Sequence, residues 1–245
     1  MFELWEEFRA WCVHLYTASG IVVAALMAWA TIRGGEEGFR FAIGMMILAT
    51  LIDATDGTLA RRWRVPEIVP GIDGRRLDDI VDYQTYTSLP VLFMWRTGVV
   101  PASAEWWLMA PLLASLYGFA QTEAKTVDHF FRGFPSYWNV VAIYLYWFGL
   151  PAPVNIAVIL SFSILTFIPS LYLYPSYSGE YSRLVRVSCL AWMVLLLAIV
   201  LNFFNDPEPA ILVSFAFPAL YLTLSWKITL HRWCSRKVLT STGRS

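Results

Sequence analysis

Four aspartates in one stretch of the chain have the spacing expected of a site for divalent cations. Asp53 and Asp56 are three residues apart. Asp78 and Asp82 are four residues apart. On a helix, either spacing places both side chains on one face. Clustered carboxylates need a counter-charge to stay ionised, and all-oxygen ligand sets suit magnesium, manganese or calcium better than zinc.

Small residues continue both faces and leave space beside the carboxylates. Gly57 and Ala60 extend the face of the first aspartate pair, and Gly74 lies four residues before Asp78. A nucleotide could therefore lie against the helix backbone. Arg61 could present its planar fork of donors to a phosphate. Two metal ions between these helix ends would form a clamp for a diphosphate.

The composition indicates that membrane helices position these residues. The 245-residue chain is 58% hydrophobic and only 15% charged, whereas soluble domains are about a quarter charged. Its formal net charge of zero gives no support for a nucleic-acid partner. The three cysteines are far apart and fit neither a zinc spacing nor a disulfide framework.

Repeated apolar runs of roughly 20 residues predict membrane-spanning helices. We predict an all-α membrane protein whose residues 1–245 form a single integral-membrane domain, a bundle of about eight transmembrane helices. An N-terminal interfacial helix over the first eleven residues would face lipid with Phe2, Trp5, Phe8 and Trp11. The predicted spans lie near 10–31, 39–60, 78–99, 104–124, 136–152, 154–175, 183–204 and 210–231.

The distribution of lysine and arginine predicts the orientation, because cytoplasmic loops are enriched in both. If both termini are inside, only Arg33, Arg40 and Arg96 lie in outer segments, and all other basic residues lie at the inner side. This topology places the four aspartates at the cytoplasmic face.

Two other interpretations of the acidic stretch remain open from the residues alone. Acids at span ends often face water, and intramembrane acids can mark an ion-transport pathway in a protein that is not an enzyme. Neither interpretation explains why Gly57, Arg61 and Gly74 are in phase with the aspartates.

The stretch resembles the signature of the CDP-alcohol phosphotransferase family, D-x-x-D-G-x-x-A-R followed by G-x-x-x-D-x-x-x-D. Every fixed position matches, from Asp53 to Asp82. The spacer between Arg61 and Gly74 is longer than in most members. In this respect the chain is similar to the bacterial phosphatidylcholine synthase branch, as it is in VHLYTASG at 13–20 and FFRGFPSYWN at 130–139.

The resemblance implies a helical bundle in the bacterial inner membrane, commonly a homodimer, with a cavity open to the cytoplasm and to membrane lipids. Its substrates would be CDP-diacylglycerol and choline, and its products phosphatidylcholine and CMP. The alternative within the same family is a sister enzyme that uses serine, glycerol phosphate or inositol as the acceptor.

The resemblance also implies roles for the aspartates. Asp53, Asp56 and Asp78 would hold a first divalent cation, magnesium or manganese, on the diphosphate. Asp78 and Asp82 would flank a second one. Asp82 would be the general base that takes the proton from the choline hydroxyl.

The nucleotide site follows from the same resemblance. Gly57, Ala60 and Gly74 would admit the nucleotide, and Arg61 would support the phosphates or brace the aspartates. Family members often carry an N-x-L-T element in the first span. Thr17 matches this element, whereas His14 departs from it.

Choline must be recognised by charge and by aromatic faces, because a quaternary ammonium has no N–H to donate. We favour Trp138 together with Glu123. Tyr83, on the helix of Asp82, and Tyr137, at the start of the fifth span, are further candidates.

Overall fold

The structure, a computed structural model, describes residues 2–126, 128, 130–174 and 182–242. These residues are mostly helical. The α-helices are α1 (Phe2–Arg33), α2 (Gly35–Arg62), α3 (Val65–Ile68), α4 (Gly74–Asp82), α5 (Leu89–Arg96), α6 (Met109–Ala120), α7 (Trp138–Phe148), α8 (Ala152–Phe167), α9 (Ser182–Val200), α10 (Glu208–Ser214) and α11 (Ala216–Thr242).

Four segments among the described residues are long and apolar enough to cross a membrane, so the chain is a membrane protein. They are Leu4–Arg33, Gly35–Arg62, Arg183–Val200 and Glu208–Ser235. The predicted fifth and sixth spans correspond to the shorter apolar helices α7 and α8. The predicted fourth span begins with a 3₁₀ helix, Ala102–Leu108, before α6.

The predicted interfacial helix is not a separate element, because α1 runs without a break from Phe2 to Arg33. No proline or glycine lies in its first eighteen residues to interrupt it. At about 1.5 Å per residue, its 32 residues are longer than a hydrocarbon core of about 30 Å. One helix is therefore long enough for both the interfacial segment and the first span.

The chain divides into two compact units, of which the first contains Met1–Leu112 and Tyr137–Ala157. In this unit α1 packs along α2 and against α4. The turn from α1 to α2 uses Gly34 and Gly35, both at positive φ, where residues with a Cβ are strained. Buried apolar residues then hold the two helices together, among them Val23, Ala49 and Ile52.

The predicted third span is helical but not uniform. A π-helical turn, Tyr83–Ser88, lies between α4 and α5, and Leu89 N–H donates to the carbonyl of Gln84, five residues earlier. Pro90 explains the wider winding, since it lacks an N–H and its ring would clash with the carbonyl four residues before it. Such turns are frequent at functional sites.

The second unit contains Leu113–Ser136 and Val158–Ser245, and it departs from the all-helical prediction. Two short antiparallel strands pair in it, β1 (Phe130–Arg132) with β2 (Leu171–Leu173). The predicted sixth span extends to residue 175, but α8 ends at Phe167. Pro169 follows and cannot continue the hydrogen bonds of a helix.

Side chains of α11 support β2. Leu171 N–H donates to Thr229 Oγ1 at 2.8 Å, and Tyr221 OH donates to the Leu173 carbonyl at 2.8 Å. The predicted eighth span is divided into α10 and α11 by a bend near Phe215. The two-stranded sheet of the second unit is thus held against α11 by side-chain hydrogen bonds.

Candidate active site

Three carboxylates from two helices converge in the first unit. Asp53 lies on α2, and Asp78 and Asp82 lie on α4. Each offers an oxygen atom, and these oxygens all lie within 4.8 Å of one another. The three residues are partly buried and line a cavity of about 10 Å³, which is roughly the space of one water molecule or ion.

Asp56 lies deeper than the other three aspartates. It is 4% exposed, and its Oδ2 accepts a hydrogen bond from Thr17 Oγ1 at 2.8 Å. Its carboxyl group also interacts with that of Asp78. The structure therefore brings all four predicted aspartates to the same cavity, with Asp56 as its buried member.

Close approach of α1 and α4 sets the position of Asp78 and Asp82. A Cβ atom added to Gly20 of α1 would lie 2.5 Å from Val81 Cγ1, so only glycine permits this contact. Asp73 caps α4 and accepts from the N–H groups of Arg75 and Arg76. Neither Gly20 nor Asp73 was among the predicted site residues, although an aspartate immediately before a helix is a recognisable N-cap.

The remaining signature residues of α2 have separate surroundings. A Cβ on Gly57 would lie 3.3 Å from Arg61 Nη1, and Arg61 Nη2 donates to Thr58 Oγ1 at 3.2 Å. The Arg61 guanidinium thus lies along α2 beside Gly57. Ala60 packs against a buried apolar cluster that includes Ala10 and Val13 of α1.

Gly74 and His14 are in contact. A Cβ on Gly74 would lie 3.2 Å from His14 Cε1, so the missing side chain makes room for the imidazole. His14 is 6% exposed, and within the described residues its Nε2 has no hydrogen-bond partner. A buried polar atom without a partner is uncommon, and this one lies beside the helix that carries Asp78.

Tyr86, an aromatic residue on the helix of Asp82, was not among the predicted site residues but contacts the cluster. Its hydroxyl donates to Asp53 Oδ2 at 2.7 Å, and the side chain is 6% exposed. The only indication in the sequence is its position, four residues after Asp82 on the stripe of Gly74 and Asp78.

The four predicted choline residues have different surroundings. Tyr137 is partly buried, with its ring centroid 6.1 Å from that of Tyr86. Trp138 is completely buried. The Tyr83 hydroxyl donates to the Leu112 carbonyl at 3.0 Å. Glu123 belongs to the second unit, where its carboxylate pairs with Arg132 at 2.7 Å.

Comparison with known proteins adds an independent finding. The model of the family described as CDP-alcohol phosphatidyltransferase matches residues 14–230. The chain belongs to this family. The matched part contains the four aspartates, and the members of the CDP-alcohol phosphatidyltransferase family are enzymes, so the chain is a phosphatidyltransferase.

Several curated proteins similar to this chain have the description "Phosphatidylcholine synthase". The protein from Legionella pneumophila is 34% identical, and the match covers 97% of this chain and 95% of that protein. The protein from Pseudomonas aeruginosa is 35% identical, with 77% and 79% covered. The protein from Borreliella burgdorferi is 35% identical, with 76% and 80% covered.

Proposed function

We propose that this phosphatidyltransferase is a phosphatidylcholine synthase, which transfers the phosphatidyl group from CDP-diacylglycerol to choline and releases CMP. The observation that carries the proposal is the similarity to the Legionella pneumophila phosphatidylcholine synthase over nearly the whole of both chains. The carboxylate cluster formed by Asp53, Asp78 and Asp82 supports it. A divalent cation bound by these acids would supply the positive charge that a diphosphate substrate needs.

The cluster fits a divalent cation. Magnesium and calcium bind oxygen at roughly 2.0–2.6 Å, so ligands on opposite sides of one ion are about 4–5 Å apart. The carboxylate oxygens of Asp53, Asp78 and Asp82 all lie within 4.8 Å of one another, which agrees with this range. All-oxygen donors also favour magnesium or manganese over zinc.

We assign the ligands by position. Asp53, Asp56 and Asp78 would hold a first cation, and Asp78 and Asp82 a second one. When bound, the cations would neutralise the diphosphate and stabilise CMP as the leaving group. Thr17 would keep the buried Asp56 oriented through the hydrogen bond that it donates.

Asp82 would act as the general base. The hydroxyl of choline is a weak nucleophile, so a carboxylate within hydrogen-bond reach must take its proton. The choline oxygen then forms a bond to the phosphorus that carries diacylglycerol. The bond between this phosphorus and the oxygen of CMP breaks. Asp82 is partly exposed, as Asp53 and Asp78 are, whereas Asp56 is buried.

The nucleotide would bind beside α2 and α4. Gly57 leaves the backbone of α2 accessible, and the Arg61 guanidinium next to it would contact phosphate oxygens. His14 Nε2, buried without a hydrogen-bond partner among the residues that the structure describes, would gain one from the nucleotide. Gly74 and Ala60 would act through packing. Gly74 lies against the His14 ring, and Ala60 packs against the apolar cluster that includes Ala10 and Val13 of α1.

Tyr137 is the best supported of the choline candidates, because its ring neighbours Tyr86, which contacts Asp53. Its face would stabilise the quaternary ammonium by roughly 0.5–2 kcal/mol. Trp138, which is completely buried, would support this ring from within the bundle. Tyr83 would fix the π-helical turn through its hydrogen bond to the Leu112 carbonyl.

The test is release of CMP by the purified protein with CDP-diacylglycerol and one acceptor at a time. We expect release with choline, accompanied by phosphatidylcholine, and little with serine, glycerol phosphate or inositol. A preference for another acceptor would identify a sister enzyme. No release with any acceptor, combined with cation flux in vesicles, would favour the ion-transport alternative.

A further inference from the structure

A chain of polar contacts leads away from the carboxylate cluster into the first unit. Tyr86 OH donates to Asp53 Oδ2 at 2.7 Å. Thr50, whose hydroxyl donates to the Met46 carbonyl at 2.9 Å, also interacts with the Tyr86 side chain. Asn139 Nδ2 donates to Thr50 Oγ1 at 3.1 Å. The contacts thus connect α2, the π-helical turn and the start of α7.

We propose that Tyr86 is a positioning residue that holds Asp53 in its metal-binding orientation, with Thr50 and Asn139 holding Tyr86 in turn. This inference rests on the metal role proposed above for Asp53, and it does not depend on which alcohol is the acceptor. Partners of metal ligands commonly fix the ligand orientation in this way.

The chemistry of the contact suits this role. Asp53 lies next to two further carboxylates, and like charges at such a distance repel each other. A phenol donates a hydrogen bond to the carboxylate without adding net charge, so it leaves the cation as the dominant positive partner. Because Tyr86 is 6% exposed, water competes little for the contact.

The π-helical turn explains how Tyr86 reaches Asp53. Gly74, Asp78, Asp82 and Tyr86 are each four residues apart, and in a regular α-helix such a stripe drifts round the axis. The wider i→i+5 winding of Tyr83–Ser88 advances less per residue. It therefore counteracts this drift and keeps the Tyr86 hydroxyl on the side of the cluster.

The experiment measures Mn²⁺ binding directly, by electron paramagnetic resonance of free Mn²⁺ during titration of the purified protein without substrate. Tyr86→Phe removes one hydroxyl and keeps the ring. We expect it to weaken Mn²⁺ binding roughly 10- to 100-fold, the usual cost of losing a partner of a metal ligand. CMP release should recover largely when Mn²⁺ is raised to saturation.

Tyr16→Phe is the matched control. The Tyr16 hydroxyl, on α1, forms a hydrogen bond of 2.8 Å with Thr55 of α2, the helix that carries Asp53. It has no hydrogen bond to the proposed metal ligands among the described residues. This variant should bind Mn²⁺ as the native protein does. Thr50→Val, a second variant in case Tyr86→Phe does not fold, should weaken binding in the same direction by a smaller factor.

Asp53→Asn separates the two ways in which the proposal can fail. If Asp53→Asn weakens Mn²⁺ binding but Tyr86→Phe and Thr50→Val do not, the positioning role is overturned and the metal site stands. If Asp53→Asn also binds Mn²⁺ normally, both the proposed metal role and this inference are overturned.

Discussion

At the scale of single residues, the acidic cluster divides into positions with different surroundings. Asp56 is buried and bonded to Thr17, Asp53 is bonded to Tyr86, and Asp82 is partly exposed. Replacing each aspartate by asparagine, which has a similar size, should therefore show which carboxylate binds a metal ion and which one accepts a proton.

Asp82→Asn should lower turnover roughly 10²- to 10⁴-fold, the usual contribution of a general base, because an amide cannot take the choline proton. The affinity for CDP-diacylglycerol should fall much less, because Asp82 would face the acceptor more than the nucleotide. Asp53→Asn, by contrast, should impair both, since it removes charge from the diphosphate clamp. Steady-state kinetics with each substrate varied in turn would check this difference, and loss of lipid-nucleotide binding in Asp82→Asn would make Asp82 chiefly a metal ligand.

Gly20→Ala should reduce activity although Gly20 carries no side chain. The new methyl group would lie 2.5 Å from Val81 Cγ1, which forces α4 away from α1 and shifts Asp78 and Asp82. Overpacking of this kind costs about 1–3 kcal/mol. CMP release and thermal unfolding in detergent would measure both effects.

Val81→Ala in the same chain supplies the rescue. It removes the clashing methyl groups, while the remaining Cβ of residue 81 would lie 3.8 Å from the new methyl, an ordinary contact. The double variant should regain most of the lost activity. An inactive double variant would show that Gly20 acts otherwise than by spacing the two helices.

At the scale of elements, the helical spacing of the residues accounts for much of what could be predicted about the site. Spacings of three and four residues define a helix face whatever the tertiary structure, so the placement of Asp53 with Asp56, and of Asp78 with Asp82, on one helix face could be predicted. The π-helical turn could not, because Pro90 permits either a kink or a wider turn. The contact between Tyr86 and Asp53 depends on that choice.

The two strands were missed for a related reason. Each has three residues, too few to show the alternation by which strands are recognised. The segment Leu171–Leu173 is also apolar enough to read as the end of a spanning helix. Its partners Thr229 and Tyr221 are about fifty residues away in the chain, and no local pattern reveals them.

Gly133→Ala should destabilise the second unit. Gly133 has φ +83°, and a Cβ there would lie 2.2 Å from the Thr166 carbonyl oxygen. Since a left-handed residue with a Cβ already costs about 1–2 kcal/mol, the added clash should lower the melting temperature further.

Gly149→Ala is the comparison for this variant. Gly149 also has positive φ, +53°, but a Cβ there would meet no atom within 4 Å. It should therefore show the conformational cost alone. Equal melting temperatures for the two variants would argue against the contact between Gly133 and Thr166.

At the scale of the whole molecule, the proposed orientation places the carboxylate cluster at the cytoplasmic side of the inner membrane. Single cysteines in a background without Cys12, Cys189 and Cys234 would test it. Glu36→Cys, exposed at the start of α2, should react with a membrane-impermeant maleimide in intact cells. Gly71→Cys, exposed before α4, should react only after the cells are opened. The reverse pattern would place the cluster outside.

The first unit is built from two segments that are separated in the sequence, and this has a consequence for its folding during synthesis. Asp53, Asp78 and Asp82 all emerge from the ribosome within the first 82 residues, but Tyr137 and Asn139 follow only after the chain has passed through residues of the second unit. Because synthesis proceeds from the N-terminus, the nascent chain holds its mutually repelling acids together with Thr17 and Tyr86, which contact them, but before Asn139, which contacts Thr50, exists. We expect a divalent cation at the proposed site to help draw α2 and α4 together during insertion.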